Sequence, residues 1–206
     1  MLLPKIYPIT DTGISRLSHA EQTRRLILGG ARFIQLREKT ASSFDFFSAA
    51  AESLEIAKRT STKILINDRI DIALAVGADG VHLGQKDLHP VEARKLLGKH
   101  SVIGFSTHNL NQAIEAIKFP VDYIAIGPVF PTRTKADADD VVGINGIRSI
   151  RAAIGKFPLV AIGGINAENF QSVLDAGADS TAIISSLLSK PGHIEKAFQK
   201  LNRQTR

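Results

Sequence analysis

The sequence predicts an α/β fold, a (β/α)8 barrel that occupies residues 1–206 as a single domain. Three observations carry this. Short apolar runs rich in Ile and Val alternate with amphipathic stretches eight times along the chain. Eight strand–helix units in about 200 residues close as a compact parallel barrel. The runs are continuously apolar more than alternating, as strands covered on both faces are. Finally, Gly30, Gly77, Gly98, Gly155 and Gly177 close helical stretches at the position where glycine turns a helix back toward the next strand. A doubly wound open sheet is the alternative. Both architectures bind ligands beyond the carboxyl ends of their strands.

The elements follow in order. IYPIT (6–10) is the first strand, and an amphipathic pattern over 19–29 is the first helix. FIQLR (33–37) is the second strand, followed by a long helix over 42–60 with serines in its first turn. KILIN (63–67) leads to helix 70–76, and GVHLG (80–84) to helix 90–98, where Pro90 suits the first turn. SVIGFS (101–106) precedes helix 109–118. DYIAIGPV (122–129) runs through a polar loop into helix 144–154. PLVAIGG (158–164) precedes helix 167–176, and STAIIS (180–185) precedes helix 191–202.

Composition narrows the function. The chain carries a net charge of +6, yet its basic residues are scattered, Trp is absent and there are only two Tyr. That argues against nucleic acid and for anionic small molecules as partners. The longest apolar runs are strand-sized, so no membrane span is expected. There is no Cys and no secretory pattern at the N-terminus, so thiolate metal sites are excluded and a cytoplasmic location is expected. A homo-oligomer is compatible with the sequence.

Polar side chains gather where the strands stop. Strand two ends in Gln35, Arg37, Glu38 and Lys39, strand three in Asn67, Asp68 and Arg69, and strand four in Gln85 and Asp87. Strand five ends in Ser106, Thr107 and His108. Strand six runs into Thr132, Arg133, Thr134 and Lys135. Asp68 and Asp87 are hard oxygen donors from adjacent strands and suit Mg2+, which keeps waters and takes substrate phosphate oxygens. Arg37 and Lys39 alternate along strand two and are expected to point one way. The guanidinium grips phosphate and the lysine adds a point charge. Lys135 sits in a loop long enough to close over a ligand. A metal and cations on one rim imply a diphosphate, whose departure needs its growing charge neutralised. Gly163-Gly164 and Ser185-Ser186 suggest a second anion site on the loops after strands seven and eight. Plainer roles are available for each group. Asp68 and Asp87 are also placed to cap helices, Gly163-Gly164 to make a tight turn, and His82 to fill the barrel interior.

The segments QLREK (35–39), INDRIDIALAVGADGVHLGQKDL (66–88), GFSTH (104–108), YIAIGPVFPTRTK (123–135) and VAIGGI (160–165) together resemble the thiamine phosphate synthase family, over nearly the whole chain. The resemblance implies a (β/α)8 barrel that joins 4-amino-5-hydroxymethyl-2-methylpyrimidine diphosphate to 4-methyl-5-(2-hydroxyethyl)thiazole phosphate with Mg2+, by dissociative substitution. Carried onto matching positions, it implies that Asp68 and Asp87 hold Mg2+. Arg37, Lys39, Asn67, Ser106 and Lys135 hold the diphosphate, with Gln35 against the pyrimidine. Thr132, Thr134, Gly164, Ile184 and Ser185 line the thiazole phosphate site. One departure is Ser180, in a GADS turn where the family commonly has GADG, and it is expected to alter the thiazole phosphate loop. The related thiazole tautomerases lack the paired acids and carry histidine where Pro128 stands. A non-catalytic barrel would show an eroded rim, and a sugar-phosphate isomerase would not combine both acids with the strand-two cations.

Overall fold

The computed structural model describes residues 3–132, 134 and 140–205. Eight parallel strands close a barrel in sequence order, with β8 hydrogen-bonded to β1. They are β1 (Ile6–Thr10), β2 (Phe33–Leu36), β3 (Lys63–Asn67), β4 (Gly80–Leu83), β5 (Val102–Thr107), β6 (Tyr123–Ile126), β7 (Leu159–Ile162) and β8 (Ser180–Ile183). The open-sheet alternative is excluded by this closure. Apolar side chains such as Ile34, Leu65, Ile103 and Val160 are fully buried. This is why the strands read as continuous apolar runs instead of alternating ones.

The helices between strands are α2 (His19–Leu28), α3 (Ser43–Ala57), α4 (Ile70–Val76), α5 (Pro90–Leu97), α6 (Leu110–Ala116), α7 (Gly143–Ile154) and α8 (Phe170–Asp175). The chain ends on α10 (Ile194–Gln204). Local chemistry starts several of them. Ser18, Ser42 and Asn109 cap α2, α3 and α6 by accepting backbone N–H groups. Gly77, at φ 68°, closes α4 in the left-handed conformation that the sequence led us to expect.

Several boundaries differ from expectation. β1 and β3 end where expected and β5 runs one residue further, but the other five strands stop earlier at their carboxyl ends: β2 ends at Leu36, so Arg37 and Lys39 lie in the loop beyond it and do not alternate along a strand. Two four-residue helices were not legible, α1 (Thr12–Ser15) and α9 (Ser185–Leu188). The α8 helix starts at Phe170 instead of 167, because Asn166 and Asn169 tie the preceding residues into a turn. Ser180 opens β8 at the end opposite the candidate site, so it does not shape the phosphate loop as expected. It is fully buried, and its Oγ has no hydrogen-bond partner.

Candidate active site

The loop after β2 is organised by Glu38. Its Oε1 accepts from the Lys39, Thr40 and Ala41 backbone N–H groups at 2.8, 2.8 and 3.2 Å and from Thr40 Oγ1 at 3.0 Å. Its Oε2 accepts from Thr12 Oγ1 at 3.0 Å and lies 3.3 Å from His19 Nε2. Burial alone would raise this carboxyl, but the hydrogen bonds from Thr40, Ala41 and Thr12 outweigh it and hold the pKa at about 2. The fixed carboxylate therefore sets the path of the chain on either side of it. Arg37 Nη1 meets Asp11 Oδ2 at 2.5 Å, and Lys39 Nζ pairs with Asp68 Oδ2. Asp11 and Thr12 were absent from the predicted site; their signal was a polar pair directly after strand one, the one strand end left unread. Glu38 was read at the end of strand two but given no role there.

Asp68 has a positive φ, 63°, rare for a residue other than glycine. Arg69 N–H donates to Asn67 C=O at 2.7 Å, closing a three-residue γ-turn around it, and Asp68 N–H donates to His82 C=O at 2.9 Å. Asp68 thus caps no helix. Asp87 likewise caps nothing: α5 is capped by His89, and Asp87 Oδ2 folds back onto Gly84 N–H at 2.6 Å. Burial raises the Asp87 pKa, the Gly84 N–H lowers it, and the neighbouring Asp68 carboxylate raises it further. The two acids are therefore close enough to repel. Arg69 turns away to Asp71 and Ser43, at 2.5 and 2.9 Å, in a structural ion pair.

Gln35, Arg37, Lys39, Asn67, Asp68, Asp87 and Ser106 line one cavity of about 430 Å3 at the carboxyl end of the barrel. Asn67 Nδ2 is buried there with no hydrogen-bond partner, an amide donor aimed at nothing in the protein. A second, narrower cavity of about 60 Å3 is lined by Ser106, Thr132, Thr134, Gly164, Ile184 and Ser185. Ser106, His108 and Ile184 belong to both walls, so the cavities adjoin. Gly164 has φ 66°, and an added Cβ would lie 2.7 Å from Phe130 Cβ and 2.8 Å from Pro131 O, so no side chain fits. Thr132 Oγ1 accepts from Thr134 N–H at 3.3 Å. His82 is 8% exposed and bonded through both ring nitrogens, an interior residue as expected. His108 Nδ1 donates to Gly127 C=O at 2.9 Å. Arg133 and Lys135 lie outside the described residues. Every other residue to which the sequence assigned the metal or a substrate borders one of the two cavities, whereas Ser186 of the predicted second anion site borders neither.

The model of the family described as thiamine monophosphate synthase matches residues 6–187. The chain belongs to that family. The matched range begins at the first residue of β1 and ends in α9, so it takes in both cavities. A thiamine-phosphate synthase of Clostridium novyi is 49% identical over 186 residues, 89% of this chain and 90% of its own. One of Syntrophomonas wolfei is 44% identical over 199 residues, 96% of this chain and 94% of its own. Among solved structures, a thiamine phosphate pyrophosphorylase from Pyrococcus furiosus superposes with a TM-score of 0.86 at 34% identity, covering 97% of this chain and 96% of that one. Family members of this kind are transferases, and the chain is an enzyme. Among the described residues no helix is long and apolar enough to cross a membrane.

Proposed function

We propose that the enzyme condenses 4-amino-5-hydroxymethyl-2-methylpyrimidine diphosphate with 4-methyl-5-(2-hydroxyethyl)thiazole phosphate, giving thiamine phosphate and diphosphate. The observation that carries this reading is the pair of adjoining cavities. One is walled by cations and paired acids, the other by hydroxyls and a glycine turn, and Ser106 stands at their junction. A ring nitrogen of one phosphorylated heterocycle that must reach the methylene carbon borne by another needs adjoining sites of this kind.

The larger cavity takes the diphosphate. Arg37 and Lys39 balance its charge, Asn67 Nδ2 supplies the donor that has no protein partner, and Ser106 supplies another. The family resemblance gives Lys135, which lies outside the described residues, a share in the same task. Gln35 faces the pyrimidine. Among the described residues no cluster of three or more His, Asp or Glu is placed to hold a metal. A two-carboxylate set whose members repel suits Mg2+, which completes its shell with water and phosphate oxygens. Held by Asp68 and Asp87, Mg2+ would neutralise charge on the departing diphosphate. Bond breaking precedes bond making: the C–O electron pair leaves with the diphosphate, the 4-amino group shares its lone pair with the ring-bound methylene, and the thiazole nitrogen donates its pair to that carbon. Thr132, Thr134, Gly164, Ile184 and Ser185 hold the thiazole phosphate so that this nitrogen faces the carbon.

The test is thiamine phosphate formation from the two purified substrates, with Mg2+ and then with EDTA. Product with Mg2+ and none with EDTA is expected. No product with either, from folded protein, would overturn the assignment.

A further inference from the structure

Beneath the larger cavity, Gln35, Tyr7, Tyr123, His82 and Ser106 form one chain of hydrogen bonds through the barrel interior. Gln35 Nε2 donates to Tyr7 Oη at 2.8 Å, and the Tyr7 and Tyr123 hydroxyls are 3.0 Å apart. Tyr123 Oη lies 2.9 Å from His82 Nδ1, and His82 Nε2 lies 2.8 Å from Ser106 Oγ. Tyr7 and Tyr123 are the only tyrosines of the chain, and they meet each other. The sheet register builds the link. Gly104 on β5 pairs with His82 on β4 and with Tyr123 on β6. A Cβ at Gly104 would stand 2.1 Å from Tyr123 Cζ and 2.6 Å from His82 Nδ1. Two side chains from strands two apart therefore meet over the gap that glycine leaves, with their rings stacked at 5.5 Å and 24°.

The donor count gives this chain a direction. The Gln35 amide nitrogen can only donate, so the Tyr7 oxygen receives it and the single Tyr7 hydrogen goes to Tyr123. Burial pushes both phenols far above their ordinary range, so both keep their hydrogens. The Tyr123 hydrogen then goes to His82 Nδ1. This makes His82 the neutral Nε2–H tautomer, which donates to Ser106 Oγ. Ser106 is left with its own hydrogen to give elsewhere. The reverse order would spend that hydrogen on His82 and turn the Ser106 lone pairs toward the diphosphate, like facing like.

We infer that this relay is polarised from Gln35 to Ser106, and that it presents Gln35 Oε1 as a hydrogen-bond acceptor and Ser106 Oγ–H as a donor to the substrate. The inference rests on the reaction proposed above. It adds that the heterocycle at Gln35 must offer an N–H donor, such as an exocyclic amine, while the group at Ser106 must be an anionic phosphoryl oxygen. Tyr7, Tyr123 and His82 touch no reacting atom in this scheme and are positioning residues.

Two measurements test it. Nitrogen-15 NMR of the wild-type imidazoles reads the His82 tautomer directly. Nε2–H is expected, and Nδ1–H would overturn the polarity. Steady-state kinetics then separates the two ends. Tyr123→Phe removes the hydrogen that holds His82 in its tautomer, so kcat should fall roughly tenfold through Ser106. In a Ser106→Ala background the same change should add little. Tyr7→Phe leaves His82 and Ser106 linked but frees Gln35, so it should raise KM for the pyrimidine diphosphate with kcat nearly unchanged. Equal, additive losses in all backgrounds would mean only a packing role and would overturn the inference. The two failures are distinguishable. An inactive wild type would overturn the reaction and with it the ligand ends of the relay, whereas an active wild type with the Nδ1–H tautomer would overturn the polarity alone.

Discussion

Asp68, proposed to hold Mg2+, takes its position at an energetic cost. A γ-turn with positive φ costs about 1–3 kcal/mol for a residue with a side chain, and it brings this carboxylate beside Asp87 on the next strand end. The sequence marks both acids, because each follows an apolar run. It does not reveal the turn, since nothing in INDR calls for a left-handed backbone. Asp87 carries the matching electrostatic cost. Burial, with the Asp68 charge added, raises its pKa, so the folded state binds this proton more tightly than the unfolded chain does. The stabilisation is complete below the ordinary carboxylate range and is lost as pH rises through the raised value. Without divalent cations, Asp87→Asn should therefore melt above the wild type at neutral pH, and the gap should close as pH falls below about 4. Thermal melts across that range check it, and a variant that melts below the wild type at pH 7 would show that the acids do not repel. Glu38 has the opposite sign: its contribution is present above the ordinary glutamate range and is lost as pH falls toward about 2.

The elements themselves are held at the other end of the barrel, by a recurring arginine–aspartate clamp. Arg151 of α7 donates to the carbonyls of Gly155, Phe157 and Gly177 and to Asp179 Oδ2, the last at 2.6 Å. Asp179 in turn accepts from Leu159 N–H at the start of β7. Arg94 of α5 repeats this with Gly98, Ser101, Pro120 and Asp122, and Asp122 accepts from Ile103 N–H. Asp79 accepts from Ile64 N–H in the corresponding turn before β4. The GAD triplets that recur at 77–79 and 177–179 are thus shared turn chemistry. The arginines that complete two of the clamps were not legible, because each lies 28 residues from its aspartate. Arg151→Ala strips a junction of four hydrogen bonds, three of them to carbonyls left without a cation. A loss of about 2–3 kcal/mol is expected, or roughly 4–12 °C in Tm, with turnover at 25 °C nearly unchanged since the clamp is remote from both cavities. Calorimetry beside the activity assay checks both halves, and a large loss of turnover without a loss of Tm would mean the clamp reaches the site.

For the whole molecule, the division of labour between the barrel's two ends explains what was readable. Barrel closure, strand order and the rim proposed to carry the chemistry follow from eight apolar runs with polar ends, because period and burial act locally. The interior relay and the Glu38 anchor join residues 19 to 116 positions apart, and only the closed barrel brings them together. Closure also makes the fold a reporter of its own site, since any ligand that binds only the native state stabilises it by mass action. The two cavities share a wall but not their charged groups, so their ligands should report separately. Diphosphate with Mg2+ at about 100 times its Kd should raise stability by about 2.7 kcal/mol, and thiazole phosphate at the same saturation should do likewise. Asp87→Ala should abolish the first shift, because it removes one of only two proposed metal-binding carboxylates. It should leave the second shift nearly intact, because Thr132, Thr134, Gly164 and Ser185 are untouched. Metal-dependent turnover should be lost with the first. Thermal shift assays with each ligand alone make the comparison without relying on catalysis. If both shifts disappeared in a folded Asp87→Ala variant, the cavities would be one coupled site; if both persisted, the metal would lie elsewhere.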